Sequence, residues 1–392
     1  MTRPDETAAG ETSRRLYVYN GGFLTQGRVR RILELSGYDI RLGKPGEGDL
    51  VGVWGQSPTS PRGAAVAERT GAPVLRVEDA FLRSVLPGRA GGGPGIGLLL
   101  DRRGVHFDPS VPSELEHLLA TDPLDDTALL NRARDGIARL REGHLTKYTG
   151  VDPALPVPEP GYVLVIDQTE GDASVSANAM GRNDFLEMLF LAREAHPAAA
   201  IVVKAHPETA LGARAGHLSP EDLPDNALWL DAPVSPWALL EGAVAVYTVS
   251  SQLGFEAILA GHRPVVMGQP FYAGWGLTDD RRPLDRRQRK LTRAQLFAGA
   301  MILAPTWYDP LRDRLRRDPP RTGAQPCQHR PHPARDDRRR SAHGDPCRRS
   351  HRCGRQRDLQ PRPLRPAGGN RRACADGILR CAAGEHDHAG LR

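Results

Sequence analysis

Four loops in the second half of the chain carry residue types that could do chemistry, and each loop follows a short apolar run. The first, 167–174, holds the carboxylates of Asp167 and Asp172. A carboxylate in such a loop can be a nucleophile, a general base or a metal ligand. It can equally cap the N-terminus of the next helix, so the sequence leaves both interpretations open.

The second loop combines a cation with an imidazole. Lys204, His206 and Pro207 stand at the end of a Val-rich run. A lysine and a histidine at a strand end suit a phosphate leaving group, and the proline fixes the turn after them. A single His-Pro pair is also a frequent structural feature.

The third loop supplies hydroxyls at the start of a predicted helix. The hydroxyls of Ser250 and Ser251, with free backbone N–H groups, can bind phosphate there. Glu256 lies about one helical turn further on and can reach a ribose diol. The alternative is an ordinary serine cap followed by a solvated glutamate.

The fourth loop, 268–279, is rich in glycine and aromatic rings. The rings of Tyr272 and Trp275 must pack or stack on something, because large apolar rings are seldom left in solvent. We expect them to face a cleft.

The patterns around these loops alternate between strands and helices. In the second half, strands are predicted at 162–167, 200–206, 243–250 and 264–268, with helices at 182–195, 236–242 and 251–260. In the first half, strands are predicted at 16–20, 49–55, 73–78 and 96–101, with helices at 26–35, 61–69 and 126–147. This alternation predicts an α/β fold with two doubly wound, Rossmann-like lobes, each built on a parallel sheet.

A proline-rich segment, 150–161, cannot be helical and is predicted to link the lobes. The lobes then span 15–149 and 162–312, after a disordered lead over 1–14. The lead has no apolar region, and no run approaches the ~18–20 apolar residues of a membrane span, so we predict a cytoplasmic protein.

The last part of the chain, 313–392, differs sharply in composition. It holds 20 arginines against 9 acidic residues and all five cysteines, and it lacks aromatic residues and valine. We predict a disordered Arg/Pro-rich tail, because such a segment buries too little apolar area to offset its ordering entropy. The abrupt change indicates a gene read out of frame. An arm for nucleic acid, anionic lipid or metal is the alternative.

One long string resembles a known family. Residues 247–280 (YTVSSQLGFEAILAGHRPVVMGQPFYAGWGLTDD) are similar to the signature of capsular polysaccharide biosynthesis and export proteins, the KpsC-like β-Kdo transferases. The DQTEGDASV and KAHPE segments resemble that family's upstream motifs, as do VEDAFLRSV (77–85) and HLTKY (144–148). The resemblance covers roughly residues 16–312.

The resemblance implies a GT-B glycosyltransferase with its two lobes facing a cleft. Such an enzyme transfers the acidic sugar Kdo from CMP-β-Kdo and retains the configuration at the anomeric carbon. The expected acceptor is a lysophosphatidylglycerol-type glycolipid, and the expected linkage is β(2→4). No cofactor, metal or nucleic acid is expected, because the sequence shows no carboxylate cluster for a divalent metal and its excess positive charge lies in the tail. The expected place is the inner face of the cytoplasmic membrane, beside the capsule synthesis and export machinery. Full-length members carry two transferase modules, and this chain resembles the first.

The resemblance also implies roles for individual residues. Asp172 is the expected nucleophile, with Asp167 second, and His206 is expected to donate to the leaving phosphate. CMP binding is implied for Lys204, His206, Pro207, Ser250, Ser251, Gly254 and Glu256. Contact with the acceptor or the sugar is implied for Glu78, Arg83, Tyr272 and Trp275, although Glu78 and Arg83 could instead form an ion pair within the first lobe.

Two other functions stay open. The first is a GT-B enzyme on another nucleotide sugar, such as a UDP-sugar epimerase. The second is an inactive, truncated module that binds CMP or capsule-machinery partners without turnover. Preference for UDP over CMP would favour the first, and CMP binding without transfer would favour the second.

Overall fold

The structure is a computed structural model that describes residues 14–316, all within one compact unit of the chain. Its strands are β1 (Arg14–Val18), β2 (Tyr38–Arg41), β3 (Leu50–Trp54), β4 (Val74–Asp79), β5 (Gly97–Asp101), β6 (Tyr162–Ile166), β7 (Ile201–Lys204), β8 (Ala227–Leu230), β9 (Ala243–Thr248), β10 (Val265–Val266), β11 (Asp279–Asp280), β12 (Pro305–Asp309) and β13 (Arg314–Arg316). Its α-helices are α1 (Gly22–Thr25), α2 (Gly27–Leu35), α3 (Ser60–Thr70), α4 (Glu114–Thr121), α5 (Thr127–Glu142), α6 (Ala173–Ala177), α7 (Arg182–Ala195), α8 (Pro207–Ala210), α9 (Pro236–Gly242), α10 (Gln252–Ala260) and α11 (Arg293–Phe297). Nearly all of the predicted lead and of the predicted tail lie outside the described residues; Arg14 of the lead begins β1, and residues 314–316 of the tail form β13.

The second lobe is built on a six-stranded sheet in the order β11-β10-β9-β6-β7-β8, and every pairing is parallel. Its central strand β6 is buried at every residue, as its unbroken apolar sequence predicts. From β6 the chain runs outward on one side to β8 and then returns to β9 on the other. The strand order therefore reverses between β6 and β9.

The first lobe is built on a seven-stranded sheet in the order β13-β12-β5-β4-β3-β1-β2. The pairings among β1 to β4 are parallel, as predicted, but β5 runs antiparallel to β4. The connection between these two strands contains only a short 3-10 turn, Gly88–Ala90. A parallel pairing would need a crossover that passes over the sheet, usually as a helix, and residues 80–96 form no such helix.

The end of the described chain departs from the predicted lobe boundary at 312. Strand β12 pairs with β5, and β13 pairs with β12, so both belong to the first sheet rather than the second lobe. The predicted α/β fold with two doubly wound lobes is confirmed. The sequence analysis missed β2 and β8, which are outermost strands with few fully buried residues. Among residues 14–316, no helix combines the length and apolar character needed to cross a bilayer.

Candidate active site

A cavity of about 610 Å³ lies where the two lobes meet. Its second-lobe wall is formed by the residues that follow β6, β7 and β9, and its first-lobe wall by the residues that follow β4 and α5. Ligands of doubly wound sheets bind beyond the carboxyl ends of the strands where the strand order reverses, which here is between β6 and β9. The topology thus places this cavity where a ligand is expected.

Most of the predicted site residues share the wall of this cavity. They are Glu78, Arg83, Asp167, Asp172, Lys204, His206, Pro207, Ser250, Ser251 and Glu256. Gly254, Tyr272 and Trp275 are not part of the wall. Within residues 14–316, no group of three or more His, Cys, Asp or Glu side chains is arranged to hold a metal ion.

Asp172 caps helix α6, and its carboxylate is oriented by a hydrogen-bond chain. Its Oδ1 accepts from the Ser174 backbone N–H at 2.7 Å and from the Ser174 hydroxyl at 2.6 Å. The Ser174 hydroxyl lies 2.9 Å from the Ser250 hydroxyl, and Gln168 Nε2 donates to both hydroxyls. The cap interpretation is therefore right. It leaves Asp172 Oδ2 without a hydrogen-bond partner in the described chain.

Asp167 borders the same cavity, but its carboxylate is turned into the protein. The residue is 1% exposed, and its Oδ1 accepts from the Leu218 backbone N–H at 3.1 Å. A Cβ at Gly216 would overlap its Oδ2. Burial raises the pKa of Asp167 to about 7. Asp172 is thus better placed than Asp167 to meet a ligand.

His206 presents one ring nitrogen to the cavity. Its Nδ1 accepts from the Glu208 backbone N–H at 3.1 Å, which assigns the proton of the neutral ring to Nε2. Burial, followed by the charge of Lys147, lowers the pKa of His206 to about 4. A neutral imidazole with a free Nε2–H can donate to a phosphate oxygen. Pro207 begins α8 directly after it, as the predicted turn requires.

Lys204 and the two serines are held by their own neighbours. Lys204 Nζ donates to the Ala205 carbonyl at 3.0 Å, and burial lowers its pKa to about 8. Ser251 caps α10 by accepting from the Leu253 backbone N–H at 3.3 Å. The backbone N–H of Ser250 donates to Gln168 Oε1 at 2.9 Å. The hydroxyls still line the cavity at the start of α10.

Glu256 has a different partner from the one predicted. It is 4% exposed, and its Oε1 accepts from the Thr146 hydroxyl at 2.6 Å. Burial raises its pKa to about 7, although the hydrogen bond from Thr146 acts in the opposite direction. Thr146 belongs to the first lobe, so this carboxylate joins the lobes. This contact replaces the solvated side chain of the alternative interpretation and occupies one of the oxygens expected to bind ribose.

The ion pair between Glu78 and Arg83, which was the alternative to their contact with a ligand, does not form. Arg83 Nε instead donates to Asp79 Oδ2 at 2.6 Å. Burial raises the pKa of Glu78 to about 8, with a further contribution from Asp79. Glu78 therefore borders the cavity as a largely protonated carboxyl at neutral pH.

Tyr272 and Trp275 lie in the core rather than against a ligand space. Both are 0% exposed. The Tyr272 hydroxyl donates to the Ser251 carbonyl at 2.6 Å, and Trp275 Nε1 donates to the Phe271 carbonyl at 2.7 Å. The ring that reaches the cavity is that of Phe271, which packs against Phe81 of the first lobe at 4.4 Å between centroids. Most aromatic rings of the 268–279 loop therefore pack in the core beneath the cavity wall, and only that of Phe271 lines the cavity.

We expect Gly254→Ala to lower the free energy of unfolding by about 1–3 kcal/mol, although alanine normally favours a helix interior. A Cβ there would overlap the Tyr272 hydroxyl and lie 2.9 Å from Thr248 Cγ2. The fully buried Tyr272 cannot move aside. Denaturant titration measures the change, and Tyr272→Phe in the same background should recover part of it. An unchanged midpoint for Gly254→Ala would contradict this packing account.

Among the polar residues of the wall that the sequence analysis missed, two stand closest to the predicted site residues. Lys147 lines the cavity beside His206, and Gln168 connects Ser174 with Ser250. Lys147 lies within the HLTKY string of the first lobe, which the sequence analysis used only as evidence of the family resemblance. Gln168 has no charge and no special spacing. Only the folded chain brings either residue to the site.

The chain has clear relatives. The family model described as capsule polysaccharide biosynthesis protein matches residues 49–149 and 142–305. The lipopolysaccharide-processing protein LpsZ of Rhizobium meliloti is 37% identical over 246 residues, covering 62% of this chain and 56% of the relative. The capsule polysaccharide modification protein LipA of Neisseria meningitidis serogroup B is 33% identical over 313 residues, covering 76% of this chain and 44% of the relative. The chain spans about half the length of these curated relatives.

Solved structures of KpsC from Thermosulfurimonas dismutans are also similar. The β-Kdo 2,4 transferase matches with a TM-score of 0.72 and 32% identity, covering 78% of this chain and 95% of that one. The β-Kdo 2,7 transferase matches with a TM-score of 0.58 and 26% identity, covering 77% and 95%. These matches confirm the predicted GT-B arrangement of the two lobes.

Proposed function

The chain belongs to the capsule polysaccharide biosynthesis family, and from that premise we propose that it is a retaining glycosyltransferase that transfers Kdo from CMP-β-Kdo. The observation that carries the proposal is the cavity between the lobes. Asp172 and His206 both line its wall, beside the point where the strand order of the second sheet reverses. Similarity to the solved β-Kdo transferases supports the choice of sugar.

In the proposed reaction, Asp172 attacks the anomeric carbon of Kdo as its bond to the CMP phosphate breaks. CMP leaves with the bonding electrons, and a covalent Kdo ester of Asp172 remains. The neutral Nε2–H of His206 donates to the departing phosphate, and Ser250 and Ser251 hold its oxygens. The acceptor hydroxyl then attacks the anomeric carbon, the ester bond breaks with its electrons returning to the Asp172 carboxylate, and the hydroxyl proton passes to water. Two inversions give net retention.

The acceptor side of the proposal rests on the first lobe. Glu78 and Arg83 border the cavity opposite the second-lobe loops and would face the acceptor or the sugar. We propose a lysophosphatidylglycerol-type glycolipid acceptor, reached at the inner face of the membrane beside the capsule machinery. A β(2→4) linkage is supported by the higher similarity to the 2,4 transferase than to the 2,7 transferase.

Calorimetry on the full chain should show CMP bound about tenfold or more tightly than UDP, a difference of about 1.4 kcal/mol. The proposed phosphate ligands are one neutral imidazole and two hydroxyls, which suit a single phosphate. A diphosphate carries more charge, for which bidentate arginines or a metal ion are the usual partners. UMP tests whether the base also matters, and we expect it to bind more weakly than CMP.

His206→Ala serves as the variant within this experiment. It should weaken CMP binding by about 1.5–3 kcal/mol, because a hydrogen bond to a charged group is lost. Tighter binding of UDP than of CMP would reject the Kdo donor and favour an enzyme of the epimerase type. CMP binding without transfer to any acceptor would favour the inactive module.

A further inference from the structure

Lys147 is a cation of the cavity wall whose ammonium has a ring beside it but no anionic partner: Nζ lies 5.5 Å from the centroid of the Tyr148 ring. The arginine and the other lysine of the wall are engaged: Arg83 pairs with Asp79 at 2.6 Å, and Lys204 donates to the Ala205 carbonyl at 3.0 Å. Within residues 14–316, Lys147 Nζ has no hydrogen bond and no ion pair. A partly buried ammonium that has only an aromatic ring beside it is costly unless a ligand supplies a negative charge.

The backbone that carries this ammonium is fixed from both lobes. The carbonyl of Lys147 accepts from the Arg83 backbone N–H at 3.1 Å in the first lobe. The preceding residue, Thr146, donates its hydroxyl to Glu256 of the second lobe at 2.6 Å. Backbone and side-chain contacts to both lobes therefore fix the segment that places the Lys147 side chain in the cavity wall.

The carboxylates near Lys147 include Asp172, the proposed nucleophile. Burial acts to lower the pKa of Lys147, but Tyr148 and neighbouring carboxylates, including Asp172, raise it above its usual value, so the ammonium stays charged. Of the other carboxylates, Asp79 is held in its ion pair, and burial raises the pKa of Glu78 to about 8. Asp172, which forms no ion pair within residues 14–316, is the remaining carboxylate among these neighbours.

We propose that Lys147 binds the carboxylate that the donor sugar carries on its anomeric carbon. The inference rests on the proposed function and names the group by which the site would recognise its sugar. In Kdo, a 2-keto acid, the carboxylate is attached to the carbon that Asp172 must attack. Two negative groups then approach closely, and a cation beside both offsets their repulsion. A sugar without this carboxylate would leave Lys147 unpaired and bind poorly.

The test compares Kdo with its C1 methyl ester, which lacks the charge, by saturation-transfer NMR on the full chain with saturating CMP. The wild type should bind Kdo about tenfold or more tightly than the ester, because a charge-assisted contact is lost in the ester. Lys147→Met should bind Kdo as weakly as the ester, while its affinity for the ester stays unchanged. Lys44→Met, at an exposed position away from the cavity, should behave as wild type.

Equal binding of Kdo and ester by the wild type, or unchanged Kdo binding by Lys147→Met, would overturn the inference. Lys147→Gln replaces the methionine variant if the latter does not fold. Transfer is measured separately with CMP-Kdo and a glycolipid acceptor. If Lys147 is needed to bind Kdo more tightly than its methyl ester but no Kdo is transferred, the result would support this inference and reject the proposed transferase activity. Transfer with an unchanged donor KM in Lys147→Met would reject this inference alone.

Discussion

Asp172→Asn is expected to reduce Kdo transfer by on the order of a thousandfold or more while the protein keeps its fold and its affinity for CMP. An amide cannot form the covalent ester that double displacement requires. Its oxygen can still accept from the Ser174 backbone N–H at the start of α6, and asparagine caps helices as well as aspartate does. Chromatographic assay of Kdo transfer and calorimetry with CMP measure the two quantities.

Two matched variants separate chemistry from structure. Asp126→Asn changes the capping residue of α5, whose carboxylate accepts from the Leu129 backbone N–H at 2.6 Å outside the cavity, and it should keep full activity. Asp167→Asn should stay within about tenfold of wild type, because that carboxylate holds the Leu218 backbone rather than a ligand. If Asp167→Asn abolishes transfer and Asp172→Asn does not, the two roles must be exchanged.

The covalent intermediate gives a second readout for the same assignment. Incubation with CMP-Kdo in the absence of acceptor should add the mass of one Kdo residue to the wild-type protein, and peptide mapping should locate it at Asp172. Asp172→Asn should show no adduct. An active wild type in which neither carboxylate matters would rule out double displacement altogether.

Four strands of the second lobe, β6, β7, β9 and β10, could be predicted because their signals are local. Strand β6 is an unbroken apolar run, and helix α9 begins at Pro236 and ends before the apolar run of β9. Parallel strands then place every post-strand loop at one edge of the sheet. Asp172, His206 and Ser250 could be grouped from this argument alone, and the structure places all three in one wall.

The contacts of individual side chains could not be predicted in this way, because partners distant in sequence decide them. Glu256 reads as a helical residue facing a ligand, yet it meets Thr146, which is far away along the chain. Tyr272 and Trp275 are predicted to face a cleft, but both lie in the core, where their polar atoms donate to backbone carbonyls. The antiparallel pairing of β12 with β5 is equally non-local.

Glu116→Gln is expected to destabilise the protein by about 3 kcal/mol, because it removes the carboxylate of a buried ion pair that joins the two lobes. Glu116 of α4 accepts from Arg287 Nη2 at 2.8 Å and from Arg286 Nε at 2.5 Å. Arg287 is 5% exposed and also donates to the carbonyls of Pro270 and Ala273. Without Glu116 its charge remains buried and uncompensated. The Tm should fall by on the order of 5–10 °C in a thermal unfolding experiment.

The same ion pair explains how the 268–279 loop acts on a cavity that most of its rings do not reach. Arg287 holds the backbone on both sides of Phe271, whose ring lines the cavity, so Glu116→Gln should also reduce transfer. The exposed pair of Arg30 with Glu34 is the control, and Glu34→Gln should change stability by less than about 0.5 kcal/mol. Replacing both buried partners, as in Glu116→Leu with Arg287→Met, should recover part of the loss, because no charge is then left unpaired. If Glu116→Gln unfolds at the wild-type temperature, the lobes are held by their apolar contacts and the buried ion pair is not what fixes Phe271.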